Sequence, residues 1–343
     1  MNPADVPALL RQHGLHPMKG LGQNFLIDLS VLKRIVTAAE IKPTDVVLEI
    51  GAGLGSLTTL LAKQAQRVIA IELDNHLIPL LRTVLANYDN VEIIQGDILE
   101  LDVVSLLTFP SSHLEPEKGQ IPEPFEGRPL EIAEGLCPKS AEGQIRRISA
   151  SASPAGQAAE AHYLIVANIP YYITSALIRR LLEGSIRPRR MVITVQKEVA
   201  ERICAKPDQP YWLKNKGEMS LLALSVQVYG NPEIAFTIPA GAFYPRPKVD
   251  SAVVRIEIFD QPAIPANQLD LFFRLAKAGF SQKRKMLRNA LSHGLGLQPQ
   301  LIAQILEQAG IDSRRRAETL NLAEWSILTE TFLASNKRAE GEG

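Results

Sequence analysis

The chain has 343 residues, 46% of them apolar, and its 37 basic and 37 acidic residues give a formal net charge of zero. This length and apolar content suit one large domain or two ordinary ones. No apolar run approaches the roughly 20 residues that cross a bilayer, the first residues lack a secretory-signal pattern, and Cys137 and Cys204 are too few for a disulfide framework. We therefore expect a cytoplasmic protein that is not bound to a membrane.

Five short apolar runs predict β-strands, and helical spacing separates them. The runs cover residues 46–50, 67–72, 91–94, 163–167 and 191–195, with helical patterns over 54–64 and 76–87. Strands that alternate with helices imply a parallel sheet with helices on both faces. Such a sheet binds ligands at the carboxyl ends of its strands, so residues that follow each run are candidates for a site.

Two other stretches depart from this alternation. Residues from about 103 to 161 are rich in Pro, Glu, Ser, Gly and Ala without a sustained period, which predicts a disordered insertion. After residue 258 the strand signals stop and helices are predicted. These helices cover residues 268–292, 299–309 and 322–335. The sequence therefore predicts an α/β domain of residues 1–260 and a small all-helical C-terminal domain of residues 261–343, with the boundary near 260–265.

Acidic residues and glycines follow the first three runs. Gly51 and Gly53 belong to a Gly-x-Gly-x-Gly turn after Glu49, and glycine lets a backbone approach a ligand where a Cβ would clash. Glu72 ends the second run and can accept hydrogen bonds from both hydroxyls of a ribose. Asp97 follows the third run and can accept from an adenine amino group or cap a helix. The set fits NAD or S-adenosylmethionine, and the glycine spacing favours S-adenosylmethionine over the Gly-x-Gly-x-x-Gly dinucleotide pattern.

The tetrapeptide Asn168-Ile169-Pro170-Tyr171 follows the fourth run and suits methylation of an amino group on a base. The amino nitrogen of adenine is a poor nucleophile because its lone pair is delocalised into the ring. The side-chain carbonyl of Asn168 and the backbone carbonyl of Ile169 can hold its N–H groups, Pro170 restricts the backbone, and Tyr171 offers a ring for stacking. The rate gain then comes from in-line positioning of a flipped or unpaired base. A strand-to-loop turn with a buried tyrosine is the alternative.

This tetrapeptide and several other segments resemble the ribosomal RNA adenine dimethyltransferases. The segments are residues 22–26, 49–55, 72, 97, 168–174, 242–251, 285–289 and 316–320. The resemblance runs from about residue 16 to residue 332, interrupted by the insertion. It implies a Rossmann-like, S-adenosylmethionine-dependent methyltransferase sheet with helices on both faces.

The resemblance also implies roles for individual residues. Asn24 and Leu26 would contact the cofactor from the N-terminal segment, and Asn168 would lie between cofactor and target. Phe243 would either cover the flipped adenine opposite Tyr171 or plug a proline-rich loop. The implied catalytic set is Asn168, Ile169, Pro170, Tyr171 and Phe243, and the implied cofactor set is Gln23, Asn24, Leu26, Glu49, Gly51, Gly53, Glu72, Leu73, Asp97, Ile98 and Asn168. No metal is expected.

The activity implied by the resemblance is methyl transfer from S-adenosylmethionine, leaving S-adenosylhomocysteine, to the N6 of two adjacent adenines. These adenines lie near the 3′ end of 16S ribosomal RNA in the 30S particle, and a monomeric enzyme with a role in small-subunit biogenesis is expected. Segments 285–289 and 316–320 resemble the small-subunit branch. The macrolide-resistance methylases of large-subunit RNA and a non-catalytic ribosome-assembly factor of the same fold are the alternatives. The insertion and residues 211–218 depart from the family pattern.

The distribution of charge bears on an RNA partner. Acidic residues outnumber basic ones up to residue 161, and basic residues outnumber acidic ones beyond it. Lysine and arginine on phosphates give orientation and salt-dependent affinity, whereas solvated helix faces are the alternative interpretation. The candidate RNA-binding clusters are Lys283, Arg284, Lys285 and Arg288; Arg314, Arg315 and Arg316; and Arg187, Arg189 and Arg190.

Overall fold

A seven-stranded sheet forms the centre of the molecule. The computed structural model describes residues 5–108, 163–171, 173–207 and 217–341. Nine strands are present in this part of the chain. They are β1 (Phe25–Leu26), β2 (Val46–Ile50), β3 (Arg67–Glu72), β4 (Val91–Gln95), β5 (Tyr163–Asn168), β6 (Arg190–Gln196), β7 (Gly230–Ile238), β8 (Phe243–Tyr244) and β9 (Ser251–Ile258). The five strands predicted from the sequence are confirmed as β2 to β6, within one residue at each end.

The order of strands in the large sheet is β4-β3-β2-β5-β6-β9-β7. The strands from β4 to β6 are parallel, and β9 and β7 extend the sheet in antiparallel pairing. The chain runs outward from β2 to β3 and β4 and then returns to the other side of β2 as β5. This reversal of strand order is where open α/β sheets form a ligand crevice. The short strands β1 and β8 pair separately, with Leu26 opposite Phe243.

Helices cover the sheet and form the C-terminal region. They are α1 (Val6–Gln12), α2 (Leu29–Ala39), α3 (Thr58–Leu61), α4 (Ile78–Leu85), α5 (Val103–Thr108), α6 (Thr174–Glu183), α7 (Lys197–Ile203), α8 (Leu221–Gln227), α9 (Leu269–Phe280), α10 (Leu287–Leu295), α11 (Pro299–Gln308) and α12 (Leu322–Gly341). No helix in these described ranges is long and apolar enough to cross a membrane.

Two helix predictions need correction. The pattern over 54–64 gives only α3, because the glycine turn extends to Gly55, whose φ of 79° is left-handed. The pattern over 268–292 gives two helices, α9 and α10, separated by a turn at 281–286. These two helices pack closely at Gly294, where an added Cβ would lie 2.7 Å from the Cβ of Ala278.

The apolar core is continuous from the sheet into the C-terminal helices. Ile193 of β6, Phe272 of α9 and Trp325 of α12 are all fully buried and belong to one cluster of packed side chains. The chain leaves the sheet at Ile258 and enters α9 at Leu269. The division near 260–265 stays a prediction, and the C-terminal helices share the core of the sheet.

Parts of two sequence predictions lie outside the described residues. Within the predicted insertion, residues 103–108 form helix α5, which corrects its starting point, while 109–161 lie outside. Residues 211–216 of the segment that departs from the family pattern also lie outside the described residues.

Candidate active site

A cavity of about 200 Å³ lies at the carboxyl ends of β2, β3, β4 and β5. Twelve of the candidate site residues line it. They are Gln23, Asn24, Gly51, Gly53, Glu72, Leu73, Asp97, Ile98, Asn168, Ile169, Pro170 and Tyr171. The strand ends therefore bring the glycine turn, the acidic residues and the tetrapeptide together, as the sequence predicts.

Gly51 allows the end of β2 to lie against the end of β5. Its φ is 78°, and an added Cβ would lie 3.3 Å from the backbone oxygen of Asn168. A larger residue would strain the backbone and also push the two strand ends apart. The glycine turn is thereby held next to the tetrapeptide.

Glu72 at the end of β3 is anchored by backbone groups. Its Oε2 accepts a hydrogen bond from the backbone N–H of Gly53 at 2.7 Å, and its Oε1 accepts from that of Asp74 at 2.9 Å. Burial raises the pKa of Glu72, and these two hydrogen bonds partly offset the increase. The carboxyl group is thus fixed in orientation at the edge of the cavity.

Glu49 lies behind the glycine turn rather than in the main cavity. Its side chain is 1% exposed, and with Leu26 it lines a separate small cavity of about 40 Å³. Burial, together with the nearby charge of Glu72, raises the pKa of Glu49 to about 8, and a contact with Thr58 offsets this only in part. Glu49 therefore carries a proton at neutral pH.

Asp97 lies just after β4, and its two side-chain oxygens differ in their surroundings. Its Oδ1 accepts a hydrogen bond from the backbone N–H of Leu99 at 2.8 Å, which stabilises the turn after β4. Its Oδ2 has no hydrogen-bond partner in the described part of the chain, and the residue lines the cavity. The neighbouring Leu73 and Ile98 supply apolar walls, as the resemblance implies.

Two hydrogen-bond acceptors of the tetrapeptide have no partner among the described residues. The Asn168 side-chain N–H donates to the backbone oxygen of Asn24 at 3.0 Å, which leaves Oδ1 without a partner among the described residues. The backbone N–H of Ile169 donates to Thr194 at 3.3 Å, and its carbonyl oxygen likewise has no partner among them. Tyr171 is half-buried, and its hydroxyl lies 2.8 Å from the hydroxyl of Ser251. The ring is fixed at its far end while one face borders the cavity.

Residues 18–27, called here the N-terminal strap, contribute five residues to the lining of the cavity. Gln23 lines the cavity, but both polar atoms of its side chain have partners in the protein. The side-chain oxygen accepts from the backbone N–H of Met18 at 2.8 Å, and Nε2 donates to Oδ2 of Asp74 at 2.7 Å. Asp74 was missed from the sequence, although it lies only two residues after Glu72, because its partner is 51 residues away. Ser251 was missed for the same reason.

Phe243 does not line the cavity. It is 3% exposed and packs in a core cluster that contains Leu26, its partner in the β1–β8 pairing. Of the two roles weighed for Phe243, the structure favours the hydrophobic plug. A role over the target base would need a different side-chain position.

The three basic clusters differ in how many of their charges are paired. Lys283, Arg284 and Lys285 are exposed and make no ion pair with any described residue. Arg288 is half-buried and donates to the side chain of Asn289 at 3.3 Å. In the second cluster each arginine has an acidic partner: the pairs are Arg314–Asp312, Arg315–Glu324 and Arg316–Glu318.

The structure contradicts the prediction for the third cluster at Arg190. Arg190 is 5% exposed and pairs with Glu40 and Glu257, so it cannot reach a phosphate. Arg189 pairs with Asp45 at 3.0 Å. These ion pairs connect the start of β6 to Glu40 after α2, Asp45 before β2 and Glu257 of β9.

Comparison with known proteins gives consistent matches over most of the chain. Residues 16–328 match the family model described as ribosomal RNA adenine dimethylase. A ribosomal RNA small subunit methyltransferase A from Dehalococcoides mccartyi (strain CBDB1) is 40% identical over 333 residues, covering 95% of this chain and 94% of the relative. A protein of the same name from Alkaliphilus metalliredigens (strain QYMF) is 36% identical over 335 residues, covering 97% and 98%.

Two solved structures share the fold. The 23S rRNA methyltransferase ErmE has a TM-score of 0.60 at 22% identity, covering 90% of this chain and 99% of its own. A dimethyladenosine transferase from Plasmodium falciparum also has a TM-score of 0.60 at 22% identity, covering 91% and 97%. At this identity the likeness establishes the fold alone.

Proposed function

The chain belongs to the ribosomal RNA adenine dimethylase family, and we propose that it dimethylates two adjacent adenines near the 3′ end of 16S ribosomal RNA. The methyl donor is S-adenosylmethionine, the product is S-adenosylhomocysteine, and the substrate is the 30S particle during small-subunit biogenesis. The enzyme acts as a monomer in the cytoplasm.

The residues around the cavity fit S-adenosylmethionine. Gly51 lines the cavity, and its lack of a Cβ lets the glycine turn lie against the backbone of Asn168. Glu72 presents an anchored carboxyl group to ribose hydroxyls, and the free Oδ2 of Asp97 can accept from an adenine amino group. When bound, S-adenosylmethionine supplies an electrophilic methyl group on its sulfonium. The protein's contribution is to hold this group and the target nitrogen in line.

The proposal rests on the two acceptors of the tetrapeptide that have no partner among the described residues. In the first transfer Oδ1 of Asn168 and the carbonyl oxygen of Ile169 each accept one N–H of the target amino group, which frees the nitrogen lone pair from the ring. The nitrogen loses one proton to solvent as the N–C bond forms. In the second transfer one of the two acceptors holds the remaining N–H, and its proton is lost in the same way. The Asn168 side chain cannot turn freely, because its N–H is held by the strap at 3.0 Å. Tyr171 supplies a stacking face whose position the Ser251 hydroxyl fixes. Acceptors that are already oriented need no reorganisation when the reaction occurs.

The choice of small-subunit RNA rests on the relatives, and three exposed cations are candidates for phosphate contacts. The relatives at 36–40% identity carry the name ribosomal RNA small subunit methyltransferase A, whereas ErmE is 22% identical. Lys283, Arg284 and Lys285 are the basic residues best suited to bind phosphate, because their charges are exposed and unpaired within the described chain. We propose that they orient the C-terminal helices on the particle.

A panel of substrates tests this function. Labelled S-adenosylmethionine is incubated with the protein and either unmethylated 30S particles, large-subunit RNA or duplex DNA. We expect transfer to 30S particles alone. Transfer to large-subunit RNA instead would favour the macrolide-resistance activity, and binding to 30S particles without transfer would favour an assembly factor.

A further inference from the structure

Three residues of the N-terminal strap contact other segments in the active site or next to it. Gln23 bonds to Asp74 beside the cofactor edge, the backbone oxygen of Asn24 accepts from Asn168, and Leu26 pairs with Phe243. Movement of the strap would therefore disturb the cofactor cavity and the catalytic asparagine together.

The side chain of Asp74 is buried and is hydrogen-bonded to this strap. It is 5% exposed, and its Oδ2 accepts from Nε2 of Gln23 at 2.7 Å. Its Oδ1 accepts from the backbone N–H of His76 at 3.0 Å and lies 2.9 Å from the His76 ring. Its own backbone N–H donates to Oε1 of Glu72. These hydrogen bonds lower the pKa of Asp74 despite its burial, so it is a carboxylate at neutral pH.

From these contacts we infer that Asp74 and Gln23 form a latch that closes the strap over the cofactor and thereby orients Asn168. Asp74 does not line the cavity, so it is a positioning residue rather than a ligand. Gln23 acts in the same way, since its amide is committed to Met18 and Asp74. The inference rests on the proposed function only for the effect on methyl transfer, and the effect on cofactor binding is independent of the substrate.

An exchange of the two side chains tests the latch. In Asp74→Asn the one remaining side-chain oxygen at position 74 is held by the His76 backbone N–H. The new side-chain NH2 group then faces Nε2 of Gln23, so two donors meet and the hydrogen bond is lost. In Gln23→Glu two carboxylates face each other. In the double variant an amide again donates to a carboxylate, whose other oxygen accepts from Met18. The exchange keeps the net charge and reverses the direction of one hydrogen bond.

Binding of S-adenosylhomocysteine by calorimetry, without RNA, is the first measurement. Each single variant should bind about tenfold more weakly, as expected for a lost hydrogen bond to a charged group, and the double variant should recover most of this loss. Asp28→Asn is the matched control: it makes the same charge change just beyond the strap, where asparagine caps helix α2 as well as aspartate does. It should bind like the unmodified protein.

The second measurement is the rate of methyl transfer to 30S particles at saturating cofactor. The single variants should also be slower under these conditions, because Asn168 loses its anchor, and the double variant should regain speed. Single variants that bind normally, or a double variant no better than the worse single one, would overturn the latch. If the unmodified protein transfers no methyl group but the binding pattern holds, the proposed function fails and the latch stands.

Discussion

The two halves of the active site are built in opposite ways. In the cofactor half, formed by the ends of β2, β3 and β4, both oxygens of Glu72 are anchored and Glu49 is sealed behind the glycine turn. In the target half, formed by the end of β5, Oδ1 of Asn168 and the carbonyl of Ile169 have no partner in the described chain. Glu72 is therefore held in place by the protein's own backbone, whereas the two acceptors of the target half, like Oδ2 of Asp97, have no partner among the described residues and are available to a ligand.

Asn168→Ala gives the largest expected effect and tests the target half. Loss of one oriented acceptor should slow methyl transfer by about a hundredfold or more, while binding of S-adenosylhomocysteine changes little. Single-turnover transfer to 30S particles and calorimetry measure the two effects. Asn87→Ala, at an exposed position, is the control. Transfer near the unmodified rate would remove Asn168 from the mechanism.

Glu72→Gln tests the cofactor half in the converse way. An amide cannot accept from both Gly53 and Asp74, because one of its two groups is a donor. Binding of S-adenosylhomocysteine should weaken roughly ten- to hundredfold, with a smaller loss of rate at saturating cofactor. Glu100→Gln makes the same change at an exposed site. A variant that is slow but binds normally would mean that the two halves are not separable.

The three exposed cations of the turn before α10 have no ion pair with any described residue, and their effect should be smaller. Lys283→Glu, Arg284→Glu and Lys285→Glu together should weaken binding to 30S particles by about tenfold and flatten its dependence on salt. Arg314→Ala is the control, since this cation is already paired with Asp312 at 3.0 Å. Affinities measured across a salt series give the slope. An unchanged slope for the triple variant would place the RNA contact elsewhere.

Glu49→Gln should have the smallest effect on methyl transfer, because it changes the stability of the fold rather than the activity. Because the pKa of Glu49 rises from 4.5 to about 8 on folding, the folded state holds a proton that the unfolded state releases in this range. Stability should therefore fall as pH rises from about 5 to about 8, and removing the titrating group removes this loss. The thermal midpoint of Glu49→Gln relative to the unmodified protein should increase with pH. An equal difference in thermal midpoint at about pH 5 and at about pH 8 would contradict a buried proton on Glu49.

Much of the cofactor half could be predicted from the sequence because its residues follow strands. The apolar runs place Gly51, Glu72 and Asp97 at one edge of a parallel sheet without any knowledge of packing. The short elements were harder to predict, since α3 has only four residues and β1 and β8 have only two each. Such elements are set by tertiary contacts rather than by periodicity.

The contacts that orient the target half could not be predicted. Asn168 is anchored by a residue 144 positions away, and the hydroxyls of Tyr171 and Ser251 are 80 positions apart. Arg190 shows the opposite error, since it belongs to a basic run typical of a phosphate site but is buried in ion pairs with Glu40 and Glu257. Sequence alone gives the residue type at a strand end, whereas its partners depend on the fold.

Mapping of the methylated product tests the central claim most directly. Unmethylated 30S particles are treated with labelled S-adenosylmethionine and the protein, and the modified nucleosides are identified and located in the RNA. We predict N6,N6-dimethyladenosine at two adjacent positions near the 3′ end of 16S ribosomal RNA, absent with Asn168→Ala. Label confined to another RNA, or to an atom other than N6, would contradict the account.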